Sequence, residues 1–106
     1  MADAIDWEGK SGTKYRYWIY PIGTTFDETT ANYIYAKETS PKNWRLIYIG
    51  ETGDLSDRTL DGHHKEECIN DNGATHIHVH KSSDDEKVRR DEESDLIDKW
   101  NPVCNG

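Results

Sequence analysis

Apolar and aromatic residues recur along this chain at two periods, and the switches between them mark the expected elements. Residues 15–20 and 32–37 are dense in tyrosine and isoleucine, and each run closes on turn chemistry: Pro21 and Gly23 after the first, Ser40, Pro41 and Asn43 after the second. Both predict β-strands. A third run from Trp44 to Gly50 predicts a strand in a hairpin with the second. In 74–80 the alternation is strict, with His76, His78 and His80 on one face and Ile77 and Val79 on the other. Helical spacing appears twice. From 54 to about 70, Leu55, Leu60, Cys68 and Ile69 would point inward, and Asp71-Asn72-Gly73 is a stop signal. A second helix, capped by Ser82 or Ser83, would run to about Trp100 before Asn101 and Pro102, with Val88, Leu96, Ile97 and Trp100 as its apolar stripe. Residues 1–13 are polar and carry one isolated aromatic, Trp7, which predicts a flexible leader and a single domain over 14–106. The fold class expected is α/β (α+β), a small, mainly antiparallel sheet flanked by helices. Tyr33, Tyr35 and Lys37 share one face of their strand, Ile34 and Ala36 the other.

Length and composition narrow this picture. A chain of 106 residues supports one modest core, and with 33% hydrophobic residues but four Trp and six Tyr that core should be rich in aromatic rings. No apolar run reaches membrane-spanning length and the start lacks a signal peptide's apolar segment, so a soluble cytoplasmic protein with no membrane partner is expected. Cys68 and Cys104 are too few for a disulfide framework and read as reduced thiols, unless the helices carrying them pack together in an oxidising setting. The net charge of −8 argues against strong non-specific nucleic-acid binding. It is unevenly placed: residues 1–53 carry six basic and seven acidic side chains, residues 54–106 seven and fourteen. A phosphate-facing surface is therefore expected on the sheet half, around Lys14, Arg16, Lys37, Lys42 and Arg45.

Candidate chemistry gathers where the third strand meets the first helix. Gly50 and Gly53 would allow positive φ in the turn, Asp54 or Ser56 would cap the helix, and outward N–H groups would suit an anion within reach of Arg58. The alternative for these residues is a surface turn with Arg58 paired to Asp54 or Asp57. On the last helix, Glu93 precedes Leu96, Ile97 and Trp100 by three, four and seven residues and so borders the apolar stripe, but Glu92 is placed nearly as well and periodicity does not choose. An i, i+4 pair with Arg89 is the plain structural alternative for Glu93. Three imidazoles on one strand face, His76, His78 and His80, with His63 or His64, are spaced to reach a zinc ion; a polar strand face is the alternative.

Tyr48-Ile49-Gly50, with Arg58 ten positions after the tyrosine, resembles the second half of the GIY-YIG endonuclease signature. Tyr33-Ile34-Tyr35 stands where that family has Gly-Ile-Tyr, and Glu93-Ser94-Asp95-Leu96-Ile97 followed by Asn101-Pro102-Val103-Cys104-Asn105 resembles its closing segment. The resemblance covers nearly all of the chain after residue 31, the strand at 15–20 being an addition. It implies a GIY-YIG-like fold and metal-dependent hydrolysis of phosphodiester bonds in nucleic acid, with DNA the expected substrate. It implies that Glu93 holds one divalent metal, magnesium or manganese, that Arg58 neutralises the phosphorane, and that Tyr35 and Tyr48 position or deprotonate the attacking water. Gly50 and Asn105 would brace the site, and a histidine one turn after the arginine would accept a proton from tyrosine. His63 follows Arg58 by five residues rather than four, a rotation of about 100°, so His64 stays open as a rival while His63 is taken as the acceptor. A second protein would supply specificity. Tyr33 in place of the family's first glycine, and the acidic balance, motivate the alternative of a catalytically silent module that binds a protein or nucleic-acid partner.

Overall fold

The computed structural model describes residues 3–57 and 63–105. Five strands form one antiparallel sheet: β1 (Asp3–Glu8), β2 (Lys14–Pro21), β3 (Ala31–Ser40), β4 (Asn43–Thr52) and β5 (His76–Lys81), in the order β1-β2-β5-β3-β4. Two α-helices, α1 (Glu66–Asp71) and α2 (Glu86–Trp100), and two 3-10 turns, Leu55–Asp57 and Val103–Asn105, complete a small α+β domain. None of the described helices is long and apolar enough to cross a membrane.

The expected leader is instead an edge strand. β1 pairs with β2 from Asp3↔Ile19 to Glu8↔Lys14. Trp7, isolated in the sequence, is buried and donates its indole N–H to His78 Nδ1 at 3.0 Å. Lys10 N–H donates to the Asp95 carbonyl, while the Asp95 carboxylate accepts from the Ser11 amide and the Tyr15 hydroxyl. These contacts hold the segment on α2, across more than eighty residues of chain.

The last strand in sequence is the middle strand in space. β5 lies between β2 (Ile19↔His78) and β3 (Ile34↔His78), so both of its edges are paired. On one face Tyr33, Tyr35, Ile47, Leu55, Ile69, Ile77, Val79 and Cys104 form an apolar layer; on the other, Trp7, Tyr17, Ile34, Ala36, Leu46, Ile49 and Leu96 form a second layer under α2. Tyr17, Tyr33 and Tyr35 rank among the largest fully buried side chains, as the aromatic composition suggested.

Several local expectations change. The first predicted helix is the short turn Leu55–Asp57 and, after residues 58–62, the six-residue α1, which ends at Asn72 and Gly73 as the stop signal indicated. Leu60, one of the expected inward positions, lies outside the described residues. The cap of α2 is Asp85, whose carboxylate accepts from Lys87 N–H at 2.9 Å; Ser83 Oγ instead accepts from Asp85 N–H. Val88 and Trp100 of the predicted stripe are exposed, while Arg89 is buried. Cys68 and Cys104, expected as free thiols, form a disulfide, because α1 and the C-terminal 3-10 turn both pack on the tyrosine face of the sheet.

Candidate active site

The β3–β4 hairpin sets the first half of the site. Its register places Tyr33 opposite Gly50 and Tyr35 opposite Tyr48. Between the pairs Tyr35↔Tyr48 and Ala36↔Leu46 the register shifts, leaving Ile47 as an extra residue, so that Ile47 and Tyr48 both serve the tyrosine face. Gly50 is not in a left-handed conformation, contrary to the expectation for this turn. Its reason is space: a Cβ there would lie 2.6 Å from Tyr33 Cζ and Oη and 2.9 Å from Tyr48 Cε2. The glycine lets two phenol rings close over one backbone position, with centroids 6.1 Å apart.

The residues after position 62 bring the histidines to these rings. His63 is buried beside Tyr33, Tyr35 and Tyr48, its ring 6.0, 5.9 and 5.2 Å from theirs, each near perpendicular. Its Nε2 is 2.9 Å from Tyr33 Oη, and its Nδ1 accepts from Lys65 N–H at 3.0 Å. A backbone donor on Nδ1 leaves the ring proton on Nε2, so the neutral imidazole donates to the Tyr33 oxygen. His64 stacks on His63 at 4.5 Å, and its Nε2 is 3.4 Å from Tyr48 Oη at the surface. The two histidines thus divide the tyrosines between them. Tyr33 was not among the predicted site residues; its signal was a bulky residue opposite a glycine in the expected hairpin.

Asn105 fastens β4 from its free edge. Its Oδ1 accepts from Ile49 N–H and its Nδ2 donates to the Ile49 carbonyl, both at 2.8 Å, between Tyr48 and Gly50. The Cys68–Cys104 bond joins the turn carrying Asn105 to the helix that follows His63 and His64. Asp54 turns its carboxylate on the Ser56 amide and hydroxyl, so at that amide the anion is the chain's own side chain. Arg58 lies outside the described residues.

Glu93 stands on α2, the helix covering the opposite face, where Leu96 packs with Ile34 and Ile49. Its carboxyl is half-buried, and its pKa is pushed up to about 7 by burial and by the charge of Glu51, against the pull of Arg90. Glu51 is itself held by Arg89 Nε at 2.9 Å, and Arg89 also donates to the carbonyls of Ser83 and Asp84. In place of the i, i+4 pair with Glu93 that was the plain alternative, Arg89 makes an ion pair across the sheet–helix junction. Glu92, the other candidate, accepts from Ser82 Oγ at 2.6 Å and meets His80 Nε2 at 3.0 Å. Of the two carboxylates, Glu92 is the one tied into such a network among the described residues. The structure thus joins Tyr33, Tyr35, Tyr48, Gly50, His63, His64 and Asn105, and carries Glu93 on the helix across the sheet.

The strand histidines serve packing and internal bonding. His76 Nδ1 meets Thr75 Oγ1 at 2.8 Å; His78 lies buried against the rings of Trp7 and Trp44; His80 Nδ1–H donates to the Arg16 carbonyl at 2.7 Å. Burial, and then the charge of His76, lowers the His78 pKa to about 3. No group of three or more His, Cys, Asp or Glu among the described residues is arranged to hold a metal ion. A magnesium ion bound through one carboxylate, with water and phosphate oxygens completing its shell, asks less of the protein than such a group. Compared with protein-family models, with curated proteins and with solved structures, the chain matches none.

Proposed function

We propose that this chain is a GIY-YIG-type endonuclease that hydrolyses phosphodiester bonds of nucleic acid, DNA being the expected substrate, with magnesium or manganese as cofactor. The observation that carries this reading is the closure of Tyr33 and Tyr48 over Gly50 beside His63 and His64, with Asn105 clamping the intervening Ile49. Tyr48 Oη, in contact with His64 Nε2, can align an attacking water and pass a proton to the imidazole. His63, its Nδ1 held by the Lys65 amide, keeps Tyr33 in place and excludes water from the inner side of the site. Arg58 would pair with the charge that builds on phosphorus, and Glu93 would hold the cation. The cation, when bound, lowers the pKa of the attacking water and offsets phosphate charge. A second protein would supply sequence or structure specificity. The disulfide favours an oxidising setting over the reducing cytoplasm expected from the sequence.

A second reading, a catalytically silent module with this fold, is favoured by the placement of Glu93 on the helix across the sheet from the tyrosines. Incubation with supercoiled plasmid, branched DNA and single-stranded RNA in magnesium buffer separates the two. Nicking that falls about 100-fold or more in Glu93→Ala and Arg58→Ala, as for the loss of a group stabilising transition-state charge, supports the nuclease. Folded protein that cleaves none of these substrates leaves the silent module.

A further inference from the structure

We propose that the groove between β2, β5 and the 22–30 loop binds a single nucleotide, with guanine as the preferred base. The groove encloses about 1150 Å³ and is floored by Trp18, Tyr20 and Val79. Trp18 is 45% exposed, which is unusual for an indole on a sheet face whose neighbours are packed. The wall is preformed: Phe26 packs edge-on against Tyr20 at 5.1 Å, and Leu55 N–H donates to the Thr29 carbonyl at 2.8 Å.

The register connects this groove with the tyrosines. Trp18 pairs with Val79, Val79 with Tyr33, and Tyr33 with Gly50, so all four form one row across the same face. Two strand spacings separate the indole from Tyr33, about 10 Å. On the nuclease reading, on which this detail rests, the nucleotide held at Trp18 is a neighbour of the one whose phosphate is cut.

The lining suits a nucleotide and narrows its identity. An exposed indole offers a stacking surface to any base. Lys81, which makes no ion pair among the described residues, and Arg16, whose only ion pair among them is an exposed one with Asp6, supply positive charge for a phosphate. Asp27 and Glu28, which also line the groove, are acceptors only. A base edge with two adjacent N–H donors satisfies a carboxylate in bidentate fashion, and guanine is the common base with such an edge. In a chain of net charge −8, this groove balances two cations against two carboxylates, so it can admit one phosphate while still reading a donor edge.

Calorimetric titration with guanosine 5′-monophosphate, adenosine 5′-monophosphate and guanosine, without metal, tests the proposal. Guanosine monophosphate should bind saturably and more tightly than the adenine nucleotide; Trp18→Ala should weaken it about tenfold. The double change Asp27→Asn with Glu28→Gln should erase the preference for guanine, and Lys81→Ala should erase the advantage of the monophosphate over the nucleoside. No saturable binding by folded wild-type protein, or binding unchanged by Trp18→Ala, overturns the proposal. Cleavage of nucleic acid without nucleotide binding removes the groove and leaves the nuclease; nucleotide binding without cleavage does the reverse.

Discussion

The two faces of the sheet are built on different principles. Under α2, polar groups bridge the sheet to the helix: Tyr15 donates to Asp95, Asn32 donates to the Arg89 carbonyl, Arg89 holds Glu51, and His80 meets Glu92. On the other face the cover is short, a six-residue helix and 3-10 turns, and Tyr33 and Tyr48 meet His63 and His64 there. A fifteen-residue helix gives its face rigidity through many anchors. The tyrosine face relies on one covalent link, Cys68–Cys104, and the Asn105 clamp. One face is therefore expected to carry stability, and the other geometry for chemistry.

The sharpest break in that contrast is Arg89→Met. It leaves Glu51, only 17% exposed, without its closest cation, and should cost about 3–5 kcal/mol by urea unfolding. Comparable stability in this variant and wild type would remove the helix-side anchoring argument. On the tyrosine face, Cys68→Ser with Cys104→Ser opens a cross-link spanning 36 residues and should cost about 4 kcal/mol. The same loss should appear on adding a dithiol reductant to wild type, and not to the double variant. Gly50→Ala should cost about 1–3 kcal/mol by overpacking, and abolish activity in the plasmid assay. If the Tyr33 ring is the obstruction, the penalty should shrink in a Tyr33→Ala background, a coupling read by a double-mutant cycle.

The pH profile reads the α2 face through two titrating groups, His78 and Glu93. His78 titrates near 6.5 when unfolded but at about 3 in place, so the unfolded chain binds the extra proton between those values. Its contribution is complete above 6.5 and is lost as pH falls toward 3. Glu93 has the opposite sign: raised from 4.5 to about 7, it favours the fold below 4.5 and loses that contribution as pH rises through 7. His78→Gln should flatten the acid slope and Glu93→Gln the slope between 4.5 and 7; unfolding midpoints measured from pH 4 to 8 would show both.

The strand runs at 15–20, 32–37, 44–50 and 74–80 were legible because period-two alternation and turn residues are local signals, and all four correspond to strands. β1 was not, because Trp7 acquires its meaning only from His78, 71 positions away. The first helix was over-read: Leu55, Cys68 and Ile69 do point inward, but from a 3-10 turn and a separate short helix. The resemblance named Tyr35, Tyr48, Gly50, Glu93 and Asn105 without the fold. Periodicity by itself did not separate Glu92 from Glu93, and the register after Arg58 left His63 and His64 close rivals.

By itself, then, the sequence determined which segments are extended, which side each residue shows, and that the core would be made of rings, since those properties arise within a few peptide units. Only the tertiary structure decided that β5 enters between β2 and β3, that the two sulfurs meet, that Gly50 is needed for space rather than for its φ, and that Glu92 meets Ser82 and His80. Those outcomes depend on which distant groups arrive within about 3 Å of one another, and no local period encodes that.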